Sequence, residues 1–416
     1  MAVNQAGWEH RLAAGALMAA AAVLPPAAVF APLGVAPLGG LVGLATLPLI
    51  IRQRCWRRID WPLAAGPLAL FAWALVSALW ALDPAQAVKG TLKLATTAGL
   101  GACAVAAAMA MTERERRRIG LALVVSLAAM VALLVVEYTF QLAVTRAIVA
   151  IKGINHAGYK SHLNRGATVA ALLTWPATLL LVNRLRPLPA ALLAGLTMAA
   201  LLLSDSSSTR LAVLAAAATA GLVALAPRWG RRGLAALIVL AALALPPLMM
   251  QVPPPQHTLQ NWTWVPNSAH HRLTIWSFTA QRIAEHPLRG WGMDASRDMP
   301  GAQDEVYLQR LAPDGTVLVT LIESMLPLHP HNAVLQVWLE LGVPGMAALV
   351  FFVLMVLKRM GELSGRWPQA AAAAVLAGAF CVSVVSYGFW QSWWQTSLWL
   401  TTAYLMLAVS RPKACS

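Results

Sequence analysis

"TERERRRIGLALVVSLAAMVALLVVEYTF", residues 112–140, decides the fold. The charges end at Arg118, and from Ile119 to Val136 none follows. A helix rises about 1.5 Å per residue, so an apolar run of about 20 residues matches the hydrocarbon core of a bilayer. The rest of the chain repeats the pattern. Of its 416 residues 59% are hydrophobic and 11% charged, too few polar groups to cover a water-soluble globule, so lipid must be the solvent.

About twelve runs of spanning length recur, near 12–30, 33–51, 61–82, 88–111, 119–140, 165–182, 188–205, 209–227, 233–250, 333–357, 368–388 and 395–410. They are continuously apolar rather than alternating, and backbone in hydrocarbon must satisfy its own hydrogen bonds, so helices are expected and an outer-membrane barrel is not. The expected fold is an all-α integral membrane protein with nine spans in 1–250, a large helical outer loop in 251–332, and three spans with a tail in 333–416. Pro25-Pro26 and Pro246-Pro247 should kink or end their helices. The first run lacks the strongly basic flank and polar boundary of a cleaved signal peptide.

Basic segments at 52–60, 112–118, 183–186, 228–232, 358–366 and 411–413 alternate with weakly charged turns. The positive-inside rule then puts them, and both termini, in the cytoplasm. The net charge of +15 is mostly spent on these anchors, which argues against nucleic-acid binding. Cys55 and Cys415 fall in cytoplasmic segments and Cys103 and Cys381 inside helices, so the outer loops have no disulfide.

Every histidine except His10 falls in an expected outer segment. The segment 271–285, "HRLTIWSFTAQRIAE", is amphipathic, and Leu273, Ile275, Trp276, Phe278 and Ile283 should pack on the membrane surface or roof a cavity. In the outer stretch 141–165, Arg146, Lys152, Lys160 and Arg165 stand on the side that should be poor in basic residues; headgroup anchoring and an anionic ligand both account for them. Arg210 lies at the mouth of an apolar helix beside small hydroxyl residues, and Arg272 opens the amphipathic stretch. His331 precedes a membrane helix that Asn332 can cap. Two guanidiniums, a titratable base and a helix N-terminus make a site for a phosphorylated lipid.

Four stretches carry a family resemblance. "SDSSSTR" (204–210) is a Ser-rich segment closing on arginine; "RLTIWSFTAQRIAEHPLRGWG" (272–292) holds an Arg, an aromatic and Pro-x-x-Gly-x-Gly in order; "HNAVLQVWLELGVPG" (331–345) is a His-Asn followed by Leu and Glu-x-Gly-x-x-Gly; and "HLNRGATVAALLTWP" (162–176) is an Asn-containing helix start. In order and topology these resemble the O-antigen ligases and the related O-antigen polymerases. The resemblance implies a GT-C-type glycosyltransferase of the bacterial inner membrane with a periplasmic active site. It would move a glycan from undecaprenyl pyrophosphate to an acceptor sugar, which for a ligase is the lipid A–core oligosaccharide. A diphosphate leaves readily once its charge is held, so arginines can serve where a metal otherwise would. On this reading Arg210 and Arg272 bind the pyrophosphate, with Lys89 and Arg165 as further candidates. His331 takes the acceptor proton, and in-line attack inverts the anomeric carbon. No cofactor is implied.

The chain has no HExxH, CxxC, P-loop or GxSxG. His270-His271 and His329-x-His331 lack a ligating Cys or an acidic partner at helical spacing, so no metal site is expected. Nothing fixes the spacing of Asp294, Asp298, Asp304 and Glu323 as a glycosidase pair. Glu340 is either a satisfied interior group, the preferred reading, or a partner that orients the base, and His329 is expected to tolerate alanine. The polymerase is the alternative within the family, the basic 141–165 segment favouring an anionic acceptor and hence the ligase. A polysaccharide or lipid transporter is the alternative of another class. It would need a midplane site, whereas the polar residues gather on one face.

Overall fold

The computed structural model describes residues 7–151, 160–184 and 186–409. Lys152, His156 and both chain ends, which bear on the expected basic outer segment and the cytoplasmic termini, lie outside the described residues. So does the side chain of Lys160.

The first half is built from α1 (Trp8–Phe30), α2 (Val35–Arg52), α3 (Trp61–Val76), α4 (Pro84–Ala110) and α5 (Glu113–Thr139), followed by the short α6 (Ala143–Ile151). Then come α7 (Asn164–Val182), α8 (Pro187–Leu202), α9 (Ser207–Leu225) and α10 (Pro227–Met250). Residues 251–332 carry α11 (Pro255–Asn261), α12 (Asn267–Glu285) and the strands β1 (Glu305–Leu311) and β2 (Val317–Ser324); α13 (Ala333–Gly361), α14 (Arg366–Val385) and α15 (Ser392–Val409) close the chain. Among the described residues ten helices are long and apolar enough to cross a membrane, so the protein is a multi-pass membrane protein. The other two expected runs form α8, only 16 residues long, and α15, whose first turns carry Ser, Trp and Gln.

Local chemistry sets the helix starts. Asp60 accepts from Leu63 N at 3.3 Å and Asp83 from Gln86 N at 3.0 Å, each followed by proline in the first turn. Thr112 and Glu115 form a capping box at the head of α5. Pro25-Pro26 and Pro246-Pro247 lie inside α1 and α10, and neither pair ends its helix.

The helices α7, α14 and α15 are the most enclosed. Residues 370–374, five consecutive alanines, are buried on α14, which packs along α9. In lipid the hydrophobic effect does not drive helices together, so small side chains that let backbones approach supply the packing attraction. On α7 every residue from Gly166 to Thr174 is buried.

The 251–332 segment is not purely helical, as the sequence reading expected. β1 and β2 form an antiparallel hairpin, turned at Gly315 (φ +84°) with Asp314 accepting from Thr316 N at 3.0 Å. Of the two placements expected for the apolar face of α12, on the membrane surface or over the bundle, its packing fits the second. Ile275, Phe278 and Ile283 are buried in one cluster with Leu335 and Leu339 of α13.

One backbone joint holds this segment to the bundle. The helix α13 breaks at Gly342 (φ +59°, ψ −155°), which frees carbonyls on its first half. Trp291 N donates to Leu339 O and Gly292 N to Glu340 O, both at 2.8 Å, while Val343 N donates to Pro287 O at 3.1 Å. Trp73 Nε1 satisfies Leu341 O at 2.8 Å. A Cβ at Gly290 (φ +70°) would overlap the Glu340 carbonyl, and one at Gly342 would overlap the Leu288 carbonyl. Gly290 of Pro-x-x-Gly-x-Gly and Gly342 of Glu-x-Gly-x-x-Gly are thus two halves of one contact.

Candidate functional site

The joint seats the first half of α13 with its N-terminus at the loop-bearing end of the bundle. Asn332 Oδ1 caps it, accepting from Leu335 N at 3.1 Å. The residue before the cap, His331, is held at φ +54°, a left-handed conformation that disfavours a side chain with a Cβ. Trp276 of α12 fixes the approach by donating to Pro330 O at 2.8 Å.

The imidazole of His331 points at the turn between α14 and α15, where its Nδ1 is hydrogen-bonded to the carbonyl of Ser386. A carbonyl only accepts, so Nδ1 carries the proton and Nε2 of the neutral ring presents a lone pair. Burial lowers the pKa of His331 from its ordinary 6.5, opposed by the Ser386 carbonyl and reinforced by Arg272 and His271. The ring is therefore neutral at neutral pH, as a base must be.

His329 backs this group, its ring centroid 4.2 Å from that of His331. Its Nδ1 faces His331 N at 3.3 Å and its Nε2 faces Gln391 Nε2 at 3.0 Å, the Gln391 oxygen being taken by Trp393. The neutral ring accepts at one nitrogen and carries a proton on the other, and with donors facing both nitrogens a second ring proton would find no acceptor. Burial, His331 and Arg297 together pull the pKa of His329 down to about 3. A Cβ at Gly388 would overlap the same ring. Alanine at 329 would remove the packing behind His331, contrary to the expected tolerance.

The guanidiniums divide into two sets. Arg272, in the second turn of α12 rather than at its start, is half-buried, and among the described residues no carboxylate pairs with it. Its charge is felt by both His331 and the hydroxyl of Tyr387. Arg165, in the first turn of α7, is felt by the same hydroxyl and lies over the Trp393 ring at 5.4 Å. Thr168 links this group onward, 3.4 Å from Tyr387 Oη and 3.3 Å from Thr209 Oγ1. Arg272, Arg165, His331 and Tyr387 thus stand together.

Arg210 and Lys89 do not join them. The Ser-rich motif does reach the site, since Ser206 caps α9 and Ser208 Oγ lies 3.4 Å from Ser386 Oγ. Arg210 itself is exposed on the side of α9 that also presents Leu211. Lys89 is exposed on α4, beside Gly90, which packs near Met293 and Asp294. Arg146 is exposed and donates to Phe140 O at 3.0 Å.

Several participants escaped the sequence reading. Ser386 acts through its backbone, which leaves no trace in residue type, and Tyr387 is placed only by the fold. Arg297 pairs with Asp294 at 3.2 Å and stands near His329. Glu340 is fully buried and accepts four hydrogen bonds, the satisfied interior group expected of it. His271 Nδ1 lies 3.7 Å from Glu323 and its Nε2 3.2 Å from Ser324 O. Among the described residues no three His, Cys, Asp or Glu side chains converge as metal ligands. A separate groove between α2, α4 and α15, lined by Gly39, Lys93, Gly101 and Trp399 among others, contains none of the residues around His331.

Comparison with known proteins places this region. The family model described as O-Antigen ligase matches residues 189–350, from α8 through the joint in α13. A Rickettsia bellii protein provisionally named a polysaccharide ligase is 29% identical over 340 residues, 80% of this chain and 77% of its own. A Rickettsia conorii protein with the same provisional name is 26% identical over 253 residues, 59% of this chain and 57% of its own length.

Proposed function

We propose that this member of the O-antigen ligase family transfers O-antigen polysaccharide from undecaprenyl pyrophosphate to lipid A–core oligosaccharide. It works as an inverting, metal-independent glycosyltransferase of the GT-C type. The chain crosses the bacterial inner membrane twelve times, with both termini cytoplasmic and the 251–332 segment in the periplasm. The observation that carries the reading is the pairing of a half-buried Arg272, lacking a carboxylate partner among the described residues, with a neutral His331 whose Nε2 is left to accept. A guanidinium withdrawn from water without a counter-ion is a site for an anion brought by the substrate.

The chemistry follows from that pair. The acceptor hydroxyl oxygen attacks the anomeric carbon as the bond from that carbon to the pyrophosphate oxygen breaks. The hydroxyl proton passes to Nε2 of His331, and the bonding electrons leave with the pyrophosphate. Arg272 and Arg210 hold the growing negative charge, with Arg165 and Lys89 as further contacts. Arg165 stands inside the cluster, whereas Arg210 and Lys89 are exposed outside it, and their contact with the phosphates is part of the proposal. Backside attack inverts the carbon.

The lipid-linked glycan that builds up in membranes of a strain lacking this chain tests the reading. Long polysaccharide on the lipid is the expected result. Single repeat units would instead identify a polymerase. Transfer by the purified protein should persist in EDTA, and activity restored only by Mg²⁺ or Mn²⁺ would overturn the metal-free mechanism.

A further inference from the structure

We infer that Glu340 is a positioning residue, which through Gln336 holds the 386–391 turn whose Ser386 carbonyl orients His331. The inference rests on the base role proposed above for His331.

Asn332, Gln336 and Glu340 succeed one another at four-residue spacing on one face of α13. Glu340 Oε2 accepts from Asp294 N at 2.7 Å and Trp390 Nε1 at 2.6 Å. Its Oε1 accepts from Ser296 Oγ at 2.5 Å and Gln336 Nε2 at 3.1 Å. The Gln336 amide cannot be reversed, because its Oε1 accepts from Phe389 N at 2.8 Å and a backbone N–H can only donate. Obligate donors therefore set the direction of every bond from Phe389 through Gln336 into Glu340.

The turn they hold touches both histidines. Its first residue, Ser386, receives His331 Nδ1; its last, Gln391, faces His329; and Gly388 packs on the His329 ring. Phe389 and Trp390, between these contacts, are the two residues tied to Gln336 and Glu340. The other charged or titratable neighbours of His331 are Arg272 and His271 on α12, His329 on its own segment, and Tyr387 in the turn with Arg165 beside it. The carbonyl that fixes the tautomer is the one bonded to His331 Nδ1.

Glutamine at 340 breaks this logic at a known place. Its amide nitrogen cannot face Asp294 N and Trp390 Nε1, both donors, so it must face Ser296 and Gln336. Ser296 can rotate its hydroxyl. Gln336 would have to flip, which sets its nitrogen against Phe389 N. Exchanging the two residues, Glu340→Gln with Gln336→Glu, satisfies every partner again, since the carboxylate at 336 then accepts from both Phe389 N and the new amide.

The test uses full-length protein with isotope-labelled histidine in detergent, with ring titration followed by nuclear magnetic resonance and turnover measured alongside. Glu340→Gln should lower the pKa of His331, because the raising effect of the Ser386 carbonyl is lost, and cut kcat about tenfold with KM little changed. The exchange variant should restore both. Gln336→Met, which severs only the tie to Phe389 and the one bond to Glu340, should reproduce the titration shift. A His331 titration unmoved in Glu340→Gln and Gln336→Met, or an exchange variant no better than Glu340→Gln, would overturn the inference. The titration needs no substrate. A shift seen in a protein that performs no transfer would support the positioning role and sink the function instead.

Discussion

Gly342→Ala should disconnect the loop segment from the bundle without touching any group proposed to meet substrate. The glycine sits at φ +59° and ψ −155°, and a Cβ there would overlap the Leu288 carbonyl, so backbone rather than a flexible side chain has to give way. That backbone region, φ near +60° with ψ near 180°, is essentially glycine-only and costs an alanine roughly 1–3 kcal/mol. Relief of the overlap separates the two segments of the joint and loses the bonds from Trp291 N and Gly292 N, at about 1 kcal/mol each, for a total of roughly 3–5 kcal/mol. Gly99→Ala is the control: a Cβ meets nothing there, and alanine should favour α4 by about 1 kcal/mol. Thermal unfolding in detergent followed by tryptophan fluorescence, with transfer measured on the same samples, reads both variants. The expected result is a melting point several degrees lower and weak transfer for Gly342→Ala, against an unchanged or raised melting point for Gly99→Ala. Equal stability and activity of the two would refute the claim that the glycines form the joint.

Lysine keeps the charge of arginine but loses its fork, so Arg272→Lys and Arg210→Lys should each lose most of the transfer rate while Arg146→Lys retains it. A pyrophosphate-bearing donor analogue should protect the wild-type arginines from phenylglyoxal better than the bare lipid alcohol; equal protection would place the phosphate site elsewhere. Transfer should rise with pH through a limb below 6.5, since burial and the charges of Arg272 and His271 lower the pKa of His331 and only the neutral ring accepts a proton. Stability should move the same way. As pH falls from 6.5 towards about 3 the unfolded chain binds protons that folded His329 refuses, so the melting point should drop across that window, and a flat profile would contradict the burial of this ring.

The membrane helices were legible because bilayer thickness imposes a length and a composition that sequence displays directly. The break in α13 was not. Pro344 weakens the helix locally, but the partner segment 287–292 that takes up the freed carbonyls lies some fifty residues away and shows only in the fold. Alternation in "EVYLQRL" and "VLVTLIES" around Asp314-Gly315 was a readable hairpin signal that the amphipathic reading of the loop passed over. At the site, His331 and Arg272 stood out because polar groups beside apolar runs are costly. The carbonyl of Ser386 and the hydroxyl of Tyr387 did not, since their roles come from a turn that tertiary contacts with Gln336 and Glu340 position.

The central claim, that His331 is the base of a glycosyl transfer, is tested most directly by turnover of purified His331→Ala protein with a lipid-linked polysaccharide donor and lipid A–core acceptor. Loss of about a hundredfold or more is expected, with protein level and donor binding nearly intact, because the change removes a proton acceptor rather than a phosphate contact. Near-normal turnover by the variant would contradict the assignment.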